Sequence, residues 1–306
     1  MTALSDHGRA ARGRRLATIE AGGTKFNVGI GDGDGRLLRQ AAFETSGPAE
    51  TLAAVTAWLD GEIGRNGGVD AIGIASFGPV GTDPRSERWG RLGRTPKLSW
   101  QGTDMVAPFR RYEVPIALDT DVNGAALGEW RWGAARGSRR ACYLTVGTGI
   151  GGGAVLDGRM VSGRSHPEMG HMTVRRHRDD PFAGSCPFHG DCLEGLASGT
   201  AIEARWGRTL SELGVAHPAQ AIIADYVAEA CSNIVATLAP ETLLLGGGVM
   251  ATPGLFEQVC DRFDQLANGY MAGFSARNIR RPEFFPLSGL IGGLAIAEMA
   301  LGGSGD

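Results

Sequence analysis

Apolar positions along the chain fall into short strand-like runs that alternate with helical stripes. Leu16–Glu20 reads as a buried strand opening into Ala21-Gly22-Gly23-Thr24-Lys25. Phe26–Ile30 returns with period-two alternation, and Asp32-Gly33-Asp34-Gly35 marks a turn before a third strand at Leu37–Phe43. Ala49–Arg65 sets Leu52, Val55, Leu59 and Ile63 on one helical face. A strand at Val69–Ala75, a short helix closing at Pro108–Tyr112, a strand at Val114–Leu118 and a helix at Val122–Trp132 follow. The opening layout then recurs. Ala141–Val146 runs into Gly147-Thr148-Gly149-Ile150-Gly151-Gly152-Gly153, then Ala154–Leu156 and the turn Asp157-Gly158. Thr242–Leu245 is a short buried strand ending in Gly246-Gly247-Gly248, and helices are predicted at Pro218–Leu238, Pro253–Asn268 and Leu290–Leu301. Strands alternating with helices predict an α/β fold, and the recurring strand, glycine turn and returning strand predict a duplicated plan.

Composition sharpens this picture. A chain of 306 residues, 42% hydrophobic, exceeds what one compact unit usually carries, so two domains are expected. The expected division is a disordered arm over 1–15, a first domain over 16–121 plus 288–306, and a second over 122–287. A net charge of −3 without a long basic block argues against nucleic-acid or membrane-surface partners. The arginines of the arm (Arg9, Arg12, Arg14, Arg15) span too little chain for a DNA-binding domain. No run approaches the ~20 apolar residues of a membrane helix, and a soluble, cytoplasmic protein is expected. Five cysteines speak against a disulfide framework; Cys142, Cys231 and Cys260 sit in apolar segments as small core residues.

The glycine turns carry the first candidate chemistry. Converging backbone N–H groups form a nest for phosphate oxygens, with Thr24, Lys25 and Thr148 adding donors and charge. Neither turn has the P-loop spacing or leads into a helix as a dinucleotide-binding turn does. Asp119, Asp121 and Asn123 follow a buried strand just before a helix, where carboxylates meet ligands. Asp121 is the candidate to take a proton from an attacking hydroxyl, with Asn123 as an adjacent sugar ligand. Either aspartate could instead cap the helix. Finally, Cys186-x2-His189-x2-Cys192 places three donors on one loop, and His171 supplies a fourth, a set that suits tetrahedral zinc. His166 and His177 are alternatives for that fourth place. The polar stretch Arg175–Ser185 would otherwise have little to hold it.

With these pieces assembled, the chain resembles the ROK family of bacterial sugar kinases, in particular its fructokinase branch, from about Leu16 to Gly302. The resemblance rests on Glu20-Ala21-Gly22-Gly23-Thr24-Lys25, Gly147–Gly153, Asp121-Val122-Asn123 and Glu168-Met169-Gly170-His171. It implies the actin-like, ribonuclease-H-like two-domain ATPase fold, with duplicated domains and a cleft between them. It further implies ATP and Mg2+ bound by Gly22, Gly23, Thr24, Lys25, Gly147, Thr148 and Gly149, with Gly246, Gly247, Gly248, Val249 and Met250 on the adenosine side. Thr200 stands near the nucleotide where such fructokinases usually carry proline. Asp121 becomes the catalytic base; Asn123, Glu168, His171 and Glu194 hold the sugar, and Gly78-Pro79-Val80 lines its pocket. Thr95-Pro96-Lys97-Leu98-Ser99-Trp100 resembles a substrate loop of the fructokinase branch. The zinc set Cys-x2-His-x2-Cys departs from the common Cys-x-Cys-x4-Cys, and is associated with the fructokinase branch. The implied activity is ATP-dependent phosphorylation of a free hexose, D-fructose to fructose 6-phosphate, in a homodimer. Mannose, glucose or N-acetyl hexosamine as the sugar, or a non-catalytic sugar-binding regulatory role, are the competing readings.

Overall fold

The computed structural model describes residues 13–271 and 273–302. The expected arm lies almost wholly outside these described residues. The chain divides into two compact units: the first runs through Trp132 and includes Ser162–His166 and the chain from Leu287 onward, and the second comprises Gly133–Val161 and Pro167–Pro286.

The first unit is built on five strands: β1 (Arg15–Ala21), β2 (Lys25–Asp32), β3 (Leu37–Glu44), β4 (Ala71–Ser76) and β5 (Ile116–Thr120), in the order β3-β2-β1-β4-β5. β1, β2 and β3 form an antiparallel meander, while β4 and β5 run parallel to β1. Helix α1 (Pro48–Asn66) puts Leu52, Val55 and Leu59 into the core on the face that the periodicity predicted. The predicted strand at Val114–Leu118 sits two residues later, so Asp119 lies inside β5. Helix α2 (Asp121–Arg131) begins directly at its end.

The second sheet repeats the scheme with β6 (Arg140–Val146), β7 (Ile150–Leu156), β8 (Arg159–Met160), β9 (Thr242–Gly246) and β10 (Ile279–Arg280), in the order β10-β9-β6-β7-β8. Again three strands are antiparallel and two run parallel to the first. The duplicated plan read from the two glycine turns is therefore a duplicated sheet. Helices α3 (Leu193–Ala197), α4 (Gly199–Trp206), α5 (Leu210–Leu213), α6 (Ala219–Leu238) and α7 (Leu255–Ala267) complete this unit. α3, α4 and α5 were not foreseen, although Thr209-x-x-Glu212 is a capping box that announces α5. By length and composition α6 is long and apolar enough to cross a membrane, against the expectation of no such stretch. Its Ile223, Val227 and Cys231 lie in the core of the unit.

Helix α8 (Ser288–Gly302) returns to the first unit and is buried from Ser288 through Glu298. It has little amphipathic character because it packs on α2, β1 and β4 together. Glycines make that packing close: a Cβ on Gly292 would collide with the Gly124 backbone of α2, and one on Gly73 of β4 would collide with Gly293 O. Thr18 Oγ1 donates to Leu290 O at 2.7 Å, and Ser288 Oγ donates to the buried Glu129 at 3.0 Å. Gly292→Ala should overpack this crossing and destabilise by about 1–3 kcal/mol. In contrast, a Cβ on Gly64 of α1 meets nothing within 4 Å. Gly64→Ala should therefore stabilise by about 0.5–1 kcal/mol. Urea unfolding of the two variants beside wild type checks both signs.

Candidate active site

Strand register brings the candidate residues of the first unit to one sheet edge. Ala21 pairs with Ser76, and Ser76 with Thr120. Thus the glycine turn after β1, the Phe77-Gly78-Pro79 segment after β4 and Asp121 after β5 all leave the carboxyl ends of neighbouring strands, the usual ligand edge of such sheets. The first turn is closed by Gly22 N–H donating to Lys25 O at 3.0 Å and is braced by Thr45 Oγ1 on Gly22 O at 2.8 Å. Thr24 and Lys25 are exposed. Trp100, 1% exposed, stacks on Phe26 at 5.2 Å, meets Phe77 edge-on at 5.8 Å and donates its indole N–H to Ser46 O. That anchor carries the 95–100 loop beside the turn, where Lys97 Cε would lie 3.4 Å from a Cβ on Gly23. Just before the turn, burial pushes the Glu20 carboxyl up, opposed by a 2.7 Å hydrogen bond from Asn27 Nδ2.

Thr120 caps α2, its hydroxyl accepting from Asn123 N–H at 3.2 Å. Neither aspartate is the N-cap. Asp121 is the first residue of the helix, is partly exposed, and accepts from Val122 N–H at 2.9 Å. Asn123 is fully buried, and its Nδ2 donates to Asp119 Oδ1 at 2.8 Å, so this amide holds the carboxylate behind Asp121. Burial pushes the Asp119 carboxyl up, against hydrogen bonds from Asn123 and Thr120. Gly78-Pro79 is a cis peptide, and His166, 7% exposed, accepts from Val80 N–H at 3.3 Å.

In the second unit, Thr145 pairs with Gly246, so the Gly147 turn and the Gly246-Gly247-Gly248 turn share one edge. Between them opens a cavity of ≈ 660 Å³ reached by Thr148, Gly199, Thr200, Gly247, Gly248 and Val249, a volume within the range of nucleotide-sized sites. Gly247 turns at φ 93°, and Val249 N–H closes back onto Val146 O at 2.9 Å. Met250 is buried beside it. Thr200 Oγ1 donates to Thr148 O at 2.9 Å and Gly199 N–H to Gly147 O at 2.7 Å, tying the start of α4 to the turn. Thr209, Ser211 and Glu203 also line the cavity and were not foreseen. Glu194 accepts from Ile150 N–H at 2.9 Å, at the end of the second turn.

Glu168 is exposed, and a short 3-10 turn leads from it to His171. The intervening Gly170 abuts Ile150 O of β7 so closely that a Cβ would collide. His171, Cys186, His189 and Cys192 converge with donor atoms within 4.8 Å of one another. His171 Nδ1 lies 3.4 Å from Cys192 Sγ and 3.8 Å from Cys186 Sγ, and Cys186 Sγ lies 3.7 Å from His189 Nδ1. Ligand edges of a tetrahedral zinc with N and S donors are about 3.5 Å, so the set fits the ion. Burial pushes the Cys192 thiol up to about 11; a bound cation would offset that burial and hold the thiolate. His166 and His177 stand outside the cluster. The Arg175–Ser185 stretch does not depend on the cluster alone, contrary to expectation. Its buried Asp180 accepts from Tyr226 Oη at 2.6 Å and is ion-paired with Arg205.

Two matching sheets, each turning into glycine-lined edges, define the duplicated α/β fold of the actin-like ATPases. The chain belongs to the ROK family, which matches residues 16–300, as the motifs implied. It is 42% identical over 288 residues to a fructokinase of Zymomonas mobilis subsp. mobilis, covering 92% of this chain and 96% of that protein. Identity to a fructokinase of Pediococcus pentosaceus is 38% over 288 residues, covering 94% and 98%. Among solved structures, a ROK hexokinase from Thermus thermophilus superposes with TM-score 0.78 at 28% identity, covering 95% of this chain and 100% of that one.

A test follows from Glu20. A carboxyl raised by burial lowers the stability of the fold as pH climbs past its unfolded value near 4.5. Glu20→Gln removes that loss while keeping an acceptor for Asn27. The variant should melt above wild type at pH 8, and the gap should close toward pH 4; thermal melts across that range provide the check.

Proposed function

We propose that the protein transfers the γ-phosphoryl group of ATP to a free hexose, D-fructose giving fructose 6-phosphate. The observation that carries this reading is the placement of a partly exposed Asp121, relieved of capping by Thr120, on the sheet edge it shares with the first glycine turn and Gly78-Pro79. Relatives named fructokinase at 38–42% identity over most of the chain support fructose as the acceptor. Asp121 takes the proton of the attacking hydroxyl as its oxygen bonds to the γ-phosphorus; the bond to the β-phosphate oxygen breaks and ADP leaves. Thr24, Lys25 and Thr148 attend the phosphates, while Thr200 and Gly246–Met250 border the nucleoside. Mg2+, when bound, neutralises charge on the β- and γ-phosphates.

Glu168 and His171 hold sugar hydroxyls. With Nδ1 of His171 turned to the cysteine cluster, Nε2 is the ring nitrogen left for the sugar. Glu194, bonded through one oxygen to Ile150 N–H, is a further sugar contact. Zinc, when bound, supplies a fixed node that sets the aim of His171. Five cysteines without a disulfide among them fit a reducing compartment, and we place the enzyme in the cytoplasm.

ADP release with Mg-ATP across a hexose panel tests the activity: fructose should give the highest kcat/KM. A different preferred sugar would change the substrate, and no stimulation by any hexose would defeat the kinase reading. Asp121→Asn should lower kcat by about 10²–10⁴-fold with hexose binding retained; near-wild-type turnover would remove Asp121 as base. Chelation should abolish most activity and loosen the Cys186–Cys192 hairpin. Because Asp180 remains tied to Tyr226 and Arg205, far-UV circular dichroism should stay native. Full activity in metal-free protein would contradict the zinc assignment.

A further inference from the structure

One buried imidazole on the first unit has no part in the mechanism above. His166 is 7% exposed and lies outside the cysteine cluster, although it is only five positions before His171. It belongs to Ser162–His166, the short segment in which the chain, after β8, rejoins the first unit. Its ring meets the turn that follows β4. Nε2 accepts from Val80 N–H at 3.3 Å, so in this hydrogen bond Nε2 carries the lone pair and a neutral ring bears its proton on Nδ1. The ring edge also packs on the turn itself: a Cβ on Gly78 would stand 3.1 Å from His166 Cε1. His166 also lies within electrostatic reach of Asp119, the buried carboxylate that Asn123 Nδ2 and Thr120 N–H hold near the end of β5.

We propose that His166 is a positioning residue for the acceptor sugar, a strut that fixes the Gly78-Pro79-Val80 turn. This inference rests on the hexokinase reading. Val80 is 5% exposed, so its N–H has little access to water and depends on that acceptor. The far side of the turn is tethered independently. Gly93 N–H donates to Pro79 O at 2.7 Å, and Val80 bridges to Leu92. Loss of the imidazole therefore shifts the near side of the turn and leaves the chain folded. A displaced turn changes how the sugar sits before Asp121, whereas the nucleotide pocket of the second unit contains no part of it.

The test uses the full zinc-loaded chain with His166→Leu, which keeps bulk and removes the acceptor, and His166→Gln, whose amide oxygen can replace Nε2. Two measurements are made on each. Hydrogen exchange over residues 78–81 reads the strut without any substrate, and steady-state kinetics read its use. In His166→Leu, exchange should accelerate and KM for the preferred hexose should rise about tenfold or more, with KM for Mg-ATP within about twofold. His166→Gln should recover most of both. Unchanged exchange in His166→Leu overturns the strut. Accelerated exchange without a hexose effect, an equal rise in both KM values, or equal impairment of Leu and Gln variants overturns the positioning role. Absence of hexose-stimulated turnover in wild type itself defeats the kinase reading, a result distinct from each of these.

Discussion

The glycine crossing of α8 against α2, β1 and β4 is the constraint from which the first unit's chemistry follows. Side chains at Gly73, Gly124, Gly292 or Gly293 would force these elements apart. Their removal lets α8 sit within backbone reach of β4 and α2 at once, with Thr18 and Ser288 fastening it. α2 is therefore held rigidly behind β5, and its first residue is Asp121. The role of general base proposed for Asp121 requires it to be held within a fraction of an ångström of its productive geometry. Here that placement comes from close backbone packing of α2 against α8, fastened by the Thr18 and Ser288 hydrogen bonds.

The second unit solves the same problem differently. Its turn, pocket and cysteine–histidine loop are held by hydrogen bonds and converging donor atoms: Thr200 on Thr148 O, Glu194 on Ile150 N–H, and the His171, Cys186, His189, Cys192 set. Buried Asp180 shows how far this goes, since it joins the polar stretch before Cys186 to α6 through Tyr226 and to α4 through Arg205. Polar positioning of this kind suits an irregular loop rich in polar groups, where apolar packing has no purchase.

Much of this was legible in the sequence. Periodicity placed the α1 face of Leu52, Val55 and Leu59 correctly, and the two glycine turns announced a duplication that the strand orders bear out. The Cys-x2-His-x2-Cys spacing found its partner histidine because donors on so short a loop have few ways to converge. What escaped was tertiary. Thr120 rather than an aspartate caps α2, although Thr is a favoured cap, because the strand runs two residues further than its apolar run. His166 looked like a spare zinc ligand, since nothing local reveals that its chain segment rejoins the first unit. Asp180 read as part of a polar stretch with little but the cluster to hold it, because its partners lie 25 and 46 residues away. Membrane-like apolarity in α6 was overlooked because Gln220, Asp225, Glu229, Ser232 and Asn233 interrupt its apolar residues.

The return of α8 to the first unit also orders events during synthesis. Chains emerge from the ribosome amino end first, and domains fold as they are completed. The second unit has every described strand and helix once Pro286 is made, whereas the first, begun earlier, lacks the helix its glycines are shaped to receive until residues 288–302 emerge. Until α8 emerges, the first unit's sheet lacks the cover for its apolar, glycine-lined face, surface of the kind that makes incomplete chains prone to aggregate.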